Sequence, residues 1–190
     1  MVTGDFYYSA MSTAYLSDIL KESSQILKFE GSTLEDVRSL MRVQIAELRT
    51  GIEEMQQQNF NRFQKKTFQN RTTLERNTML EKTLTKFASF QDSSNTIFDI
   101  YDLNYAVVIN GATLDIILKD EYLRSNFAFV LSYSTNIFAY QLTPVQKEAL
   151  VCLMKLNLLD NPKILSIGDG YNDIMMMQAA DVSVEVTEPN

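Results

Sequence analysis

Leu34, Val37, Met41, Ile45, Leu48, Ile52 and Met55 recur at steps of three and four, an apolar stripe that predicts one amphipathic helix. Thr33 stands just before the stripe and Asp36 three residues on, the pattern of a helix N-terminal cap. A second helix is predicted over about Thr73 to Phe90, with Leu74, Leu80, Leu84 and Phe87 as its apolar positions. Residues 31–95 are otherwise rich in Gln, Asn, Glu, Arg and Lys and contain no proline. The block reads as a helical hairpin packed on its own domain. Its competitor is a coiled-coil or partner-binding helix, and each repeat is too short for the three to four heptads that reading requires.

Outside this block the pattern changes. A Thr3-Gly4-Asp5 turn signal precedes a helix predicted over about Ser9 to Leu27. The short apolar run Tyr105 to Ile109 ends at Asn110-Gly111 and reads as a buried strand followed by a turn. Thr113 to Asp120 follows as a short helix, and Phe127–Tyr133 and Ile137–Tyr140 fit helix or strand equally well by period. Thr143 caps a helix from Pro144 to about Asn157, with proline at the first helical position. Lys163 to Ile167 reads as a strand, Asn172 to Ala180 as a helix and Val182 to Val186 as a last strand. Strands alternating with helices predict an α/β fold with a largely parallel sheet, whose ligands bind at the carboxyl ends of the strands.

Composition narrows the chemistry. A net charge of −7 argues against non-specific nucleic-acid binding, which rests on Lys and Arg neutralising phosphates. Cys152 is the only cysteine, so no internal disulfide forms and a reducing, intracellular setting is expected. With no histidine in the chain, Cys/His zinc sites and histidine-based hydrolases are excluded in practice. No run approaches the roughly 18–20 apolar residues of a membrane helix, and Met1 to Tyr8 is no signal peptide. Any membrane role is expected to come from helices outside this chain.

The sharpest chemical signal is Gly168-Asp169-Gly170-Tyr171-Asn172-Asp173, set between a predicted strand and a predicted helix. Two carboxylates four residues apart flank a turn made tight by two glycines, so both can face one site beyond the strand end. Mg²⁺ takes one or two carboxylates with waters and phosphate oxygens, which suits Asp169 and Asp173. The bland alternative is an Asp-Gly turn with incidental acids. Thr143-Pro144-Val145-Gln146-Lys147 is the second signal, because a cation in the first helical turn opposes the helix dipole unless an anion lies near it. Val2-Thr3-Gly4-Asp5 is the third, offering a hydroxyl and backbone N–H groups to phosphate oxygens.

A threonine hydroxyl, then a lysine, then a pair of acids is the motif order of haloacid dehalogenase-type phosphotransferases, which this chain resembles. Within that superfamily it is similar to P-type ATPases of the phospholipid-transporting, or flippase, subfamily. Thr3 to Tyr15 resembles the family's Thr-Gly-Asp-Lys followed by Thr-Ala and an apolar helix. Met176-Met177-Gln178-Ala179-Ala180 resembles the flippase Met-Ile-Gln-x-Ala, Val107 to Leu114 its Ile-Asp-Gly-x-Thr-Leu, and Thr143 to Lys147 its Ser-Pro-x-Gln-Lys. The resemblance covers about residues 1–30 and 100–186.

The resemblance implies an incomplete Rossmann-like, haloacid dehalogenase-type parallel sheet formed by residues 1–30 and 96–190, with residues 31–95 as a helical insertion. It implies that Thr3, Gly4 and Asp5 contact the phosphates of ATP or the phosphoryl group, and that Lys147 is the catalytic cation. Asp169 and Asp173 would hold Mg²⁺, with Asn172 beside the phosphate. The implied reaction is transfer of the ATP γ-phosphoryl group to an aspartate and hydrolysis, coupled in a full-length parent to phospholipid movement across a membrane, with this segment cytosolic. The family's Asp-Lys-Thr-Gly-Thr acceptor motif is not in the chain, so the chain alone is expected to be inactive. Phe6, Asn110 and Gln141 stand where the family has a Lys or Arg, an Asp and an Arg, and Ser183 and Glu185 replace two glycines of its tail. Two alternatives compete. One is a soluble phosphatase of the same superfamily, which requires an N-terminal Asp-x-Asp nucleophile motif that is lacking; the other is a non-catalytic helical interaction protein.

Overall fold

The computed structural model describes residues 2–18, 20–21, 24–68, 104–157 and 163–187. The helix expected over Thr73 to Phe90 lies outside them. The chain divides into two units, Met1–Leu48 with Asn104–Asn190, and Arg49–Leu103. The first unit carries every element described below except the second half of one long helix.

Strands β1 (Gln25–Phe29), β2 (Tyr105–Asn110) and β3 (Asn136–Tyr140) form a parallel sheet in the order β1-β2-β3. Leu27 lies opposite Val107, which lies opposite Ile137, and Asn110 lies opposite Tyr140. Central β2 is buried from Tyr105 to Ile109, as a strand covered on both faces requires, and its run is accordingly apolar without alternation. On one face, Ala106, Val108, Phe138 and Tyr140 pack with Ala10 and Ala14 of helix α1 (Tyr7–Leu16) and with Leu20. On the other, Phe29 of β1 meets Phe127 edge to face at 5.4 Å, from helix α4 (Glu121–Ser132).

Helix α1 corrects the expectation of one helix from Ser9 to Leu27. It ends at Leu16, and Gln25 to Phe29 is a strand in which Leu27 and Phe29 are buried while Lys28 is exposed. That stretch is one residue short of a full alternation, and its character emerges from pairing with β2. Of the two ambiguous segments, Phe127–Tyr133 falls in α4 and its C-cap, and Ile137–Tyr140 in β3.

Helix α2 (Leu34–Phe68) starts where the capping pattern puts it. Asp36 N–H donates to the Thr33 hydroxyl at 3.2 Å and Thr33 N–H donates to the Asp36 carboxylate at 3.1 Å, a reciprocal cap. Val37, Met41 and Leu48 of the stripe are fully buried. Helix α3 (Gly111–Lys119) is capped by Asn110 and α4 by Asp120, whose carboxylate also holds Arg38 of α2 at 2.8 Å.

Helix α5 (Pro144–Asn157) leads from β3 toward β4 (Leu165–Gly168), which pairs in parallel with β5 (Val182–Glu185) in a separate two-stranded sheet. A 3-10 turn, Tyr171–Asp173, and helix α6 (Ile174–Ala179) connect these two strands. Among the described residues every strand pairing is parallel, as expected for an α/β fold. Among the described residues no helix is long and apolar enough to cross a membrane.

Candidate phosphoryl site at the strand ends

Thr3 to Asp5 lie along the outer edge of β3 and around its end. Val2 forms a single parallel bridge with Ala139, Thr3 N–H donates to the Ala139 carbonyl at 2.9 Å, and Leu142 N–H donates back to the Thr3 carbonyl. Gln141 N–H donates to the Asp5 carbonyl. The turn is closed internally: Asp5 N–H donates to the Thr3 hydroxyl at 3.1 Å, and that hydroxyl donates to the Asp5 carboxylate at 2.9 Å. The segment thus joins the sheet by one bridge, not a ladder.

Just past β3 the chain turns sharply. Gln141 has φ 54°, the left-handed region that a non-glycine residue adopts only when its surroundings impose it. The turn delivers Thr143 to the N-cap of α5, where its hydroxyl accepts from Gln146 N–H at 3.3 Å. Gln146 answers on both ends of its amide: Oε1 accepts from Thr143 N–H at 3.0 Å, and Nε2 donates to the Gly111 carbonyl at the end of β2 at 2.8 Å.

Lys147, one residue on, is the buried cation of the site, with only 5% of its surface exposed. Its Nζ donates to Asp173 Oδ1 at 2.8 Å. A lysine in the first turn of a helix, unfavourable against the dipole, therefore has its carboxylate after all, brought from the turn that follows β4. Asp173 is held close by Gly168. A Cβ on Gly168 would stand 2.5 Å from Asp173 Cβ and 2.9 Å from Met177 Sδ, so only glycine lets the turn approach the strand end. Gly170 plays no comparable part: its φ of −157° is ordinary extended backbone and nothing lies within 4 Å of an added Cβ. The tightness expected of two glycines comes from one.

Asp169 and Asn172 are exposed, and among the described residues neither has a hydrogen-bond or ion-pair partner. The structure thus joins Lys147 to Asp173 directly and sets Thr3, Gly4 and Asp5 beside the strand from which the lysine's helix departs. Among the described residues no group of three His, Cys, Asp or Glu side chains could enclose a metal ion. Asp169 and Asp173 offer two carboxylates, one of them already engaged by an ammonium. Such a donor set fits a hexacoordinate ion that keeps most of its waters, and does not fit a dehydrated, protein-enclosed one.

A second polar cluster, not foreseen from sequence, runs across the carboxyl end of the three-stranded sheet. Tyr140 Oη donates to Glu30 Oε1 at 2.5 Å, Glu30 pairs with Lys28 at 3.0 Å, and Lys28 lies 5.0 Å from the centre of the Tyr7 ring. Burial, with the Glu30 carboxylate beside it, pushes the Tyr140 phenol up to about 12. The Tyr140 hydroxyl and then the Lys28 ammonium hold Glu30 below its usual range. No short motif signals this row, because its members come from β1, β3 and α1. Gln146, by contrast, stands three residues after Thr143, a capping-box spacing that could have signalled its bond to Thr143.

Residues 24–188 match the haloacid dehalogenase-like hydrolase family. Over 83 residues, 44% of the chain, it is 37% identical to the phospholipid-transporting ATPase DNF2 of Saccharomyces cerevisiae. Over 187 residues, 98% of the chain, it is 27% identical to the human phospholipid-transporting ATPase VD. It is also 35% identical over 83 residues, 44% of the chain, to guanylate cyclase alpha of Plasmodium falciparum. The chain spans 5%, 11% and 2% of these three proteins respectively.

Proposed function

Because the chain belongs to the haloacid dehalogenase-like hydrolase family, we propose that it is a segment of the phosphorylation domain of a phospholipid-transporting P-type ATPase. The observation that carries the reading is the 2.8 Å contact between Lys147 and Asp173, which joins two motifs 26 residues apart at the carboxyl ends of β3 and β4. A structural ion pair alone would leave the Thr3 turn and the exposed Asp169 at the same strand ends without a purpose. The similarity to phospholipid-transporting ATPases over nearly the whole chain narrows the class. A match inside a protein named as a guanylate cyclase shows that such a stretch also occurs in larger chains of another name.

Each side chain has a definite part in this reading. Lys147 has three N–H donors, of which Asp173 uses one, so two remain for phosphoryl oxygens. Burial strengthens that attraction by keeping water away from the ammonium. The Thr3 hydroxyl, now donating to Asp5, would turn to a phosphoryl oxygen, and the N–H groups of Gly4 and Asp5 would add backbone donors. Asp169 and Asp173 would hold Mg²⁺, with Asn172 beside the phosphate; when bound, the ion would neutralise charge on the phosphoryl oxygens of ATP or of a phosphorylated aspartate. Positioning and charge stabilisation are then this chain's contribution, and the acceptor aspartate comes from sequence it lacks. In this reading residues 31–95 are an insertion within the domain made by 1–30 and 96–190, although their first part, up to Leu48, belongs to the first compact unit, and the phospholipid path lies in membrane helices of a longer parent.

The test is magnesium binding. Wild-type chain is expected to bind Mg²⁺ weakly by titration calorimetry, and Asp169→Asn with Asp173→Asn to abolish the signal. The isolated chain is expected to turn over neither ATP nor a phosphomonoester. An equal magnesium response in both forms would reduce the two acids to turn residues and remove the reading's chemical basis.

A further inference from the structure

Gln146 makes one bond more than helix capping requires. Its backbone N–H and its side-chain carbonyl are both spent on Thr143, which is ordinary helix capping. Its Nε2 is spent elsewhere, on the carbonyl of Gly111 at the end of a neighbouring strand, 2.8 Å away. That bond reaches 35 residues along the sequence and crosses from the helix after β3 to the helix after β2. Gly111 is shaped for it. A Cβ there would overlap the Gln141 carbonyl oxygen and stand 2.8 Å from Gln146 Oε1, so the approach exists only because the residue is glycine. The carbonyl it displaces belongs to Gln141, the residue whose φ of 54° swings the chain into α5.

We propose that Gln146 is a positioning residue: its carboxamide clamps the first turn of α5 to the end of β2, and so sets where the ammonium of Lys147 stands against Asp173. The role follows from adjacency. Lys147 is the next residue on the same rigid turn, and its N–H donates to the Thr143 carbonyl, so a shift of that turn moves the lysine with it. A misplacement of about 1 Å in such a group can cost on the order of a hundredfold in rate. The functional meaning rests on the phosphoryl-site reading above, whereas the clamp itself does not.

The experiment separates the two. Gln146→Glu keeps an acceptor for Thr143 N–H and a good capping side chain, yet places a carboxylate oxygen where a donor faced Gly111. Acylation of Lys147 by an N-hydroxysuccinimide acetate, followed by peptide mass spectrometry, is read against exposed Lys163 in the same molecules. Asp173→Ala gives the rate for a lysine without its partner. Wild-type Lys147 is expected to be strongly protected. Gln146→Glu is expected to accelerate its acylation about tenfold, the weight of one such hydrogen bond, with the melting temperature nearly unchanged. Gln146→Met, which loses both amide bonds at similar volume, should show the same acceleration should the Glu variant fold poorly. Wild-type protection in a folded variant overturns the proposal, and so does labelling that rises alike for Lys147 and for Lys155, in the last turn of α5, since that would be general loosening. Inorganic phosphate supplies the other arm. If the clamp variant unmasks Lys147 and phosphate restores none of its protection, Gln146 positions the lysine and the phosphoryl reading is what fails.

Discussion

Lys147 and Asp173 satisfy each other at 2.8 Å with both side chains largely buried, so removing either leaves a charge without its partner. Lys147→Met is expected to cost about 1.5–3 kcal/mol, the range for a hydrogen bond to a charged group, by chemical denaturation. Asp173→Asn should cost less, because the amide oxygen still accepts from the ammonium. The Tyr140–Glu30 pair predicts the pH limits. Glu30 is held low by the Tyr140 hydroxyl and then Lys28, so its contribution is complete above its unfolded value of about 4.3 and is lost as pH falls through the lower folded value. Tyr140 is pushed up, to about 12, so its contribution is complete below the phenol's usual value and is lost as pH rises through the folded one. In a phenolate absorbance titration, the wild-type minus Tyr140→Phe difference should rise near 12; a rise at the ordinary tyrosine value would mean the pair does not form. Lys147 and Asp173 were legible as residues because their motifs are short and sit at strand ends. Their contact was not, since it depends on how far α5 and the turn after β4 approach one another.

Each element carries its own signals, and these varied in strength. The Thr33–Asp36 cap and the stripe of α2 are local, so the sequence pattern located the helix start correctly. Thr33→Ala is expected to cost about 1 kcal/mol, read as a lower melting temperature. Strand β1 is the contrary case. Five residues with only Leu27 and Phe29 buried offer too little alternation, and the strand exists because β2 supplies its hydrogen bonds. Its packing is testable through Phe127, fully buried against Phe29. Phe127→Ala should destabilise by about 3–5 kcal/mol through the cavity it leaves. Gly168→Ala tests the close approach of strand and turn. The added methyl must push Asp173 aside, so about 1–3 kcal/mol should be lost together with the protection of Lys147 from acylation. Gly170→Ala should do neither.

At the scale of the molecule, the two-stranded sheet is lopsided. Its small face, with Ser166, Gly168 and the Ser183 hydroxyl that donates to the Met177 carbonyl, turns toward α6. Its apolar positions face outward, Leu165 beside Val182 and Ile167 beside Val184, with Leu165 57% and Ile167 59% exposed. Such a patch is unusual on a self-contained domain. Ile167→Lys with Val184→Lys should therefore lower binding of the dye ANS clearly while changing the melting temperature little; an unchanged dye signal would place the exposed apolar surface elsewhere. The sequence alone determined the α/β class, the parallel sense of the sheet, the limits of α5 and the start of α2. All of these rest on local periodicity, caps and short motifs, which are properties of neighbouring residues. Tertiary structure alone decided that Gln25 to Phe29 is a strand, that Asp173 rather than Asp169 meets the lysine, and that Gln146 reaches Gly111. Those outcomes depend on distances between segments far apart in the chain, set by which surfaces can pack without overlap, and no local pattern encodes them.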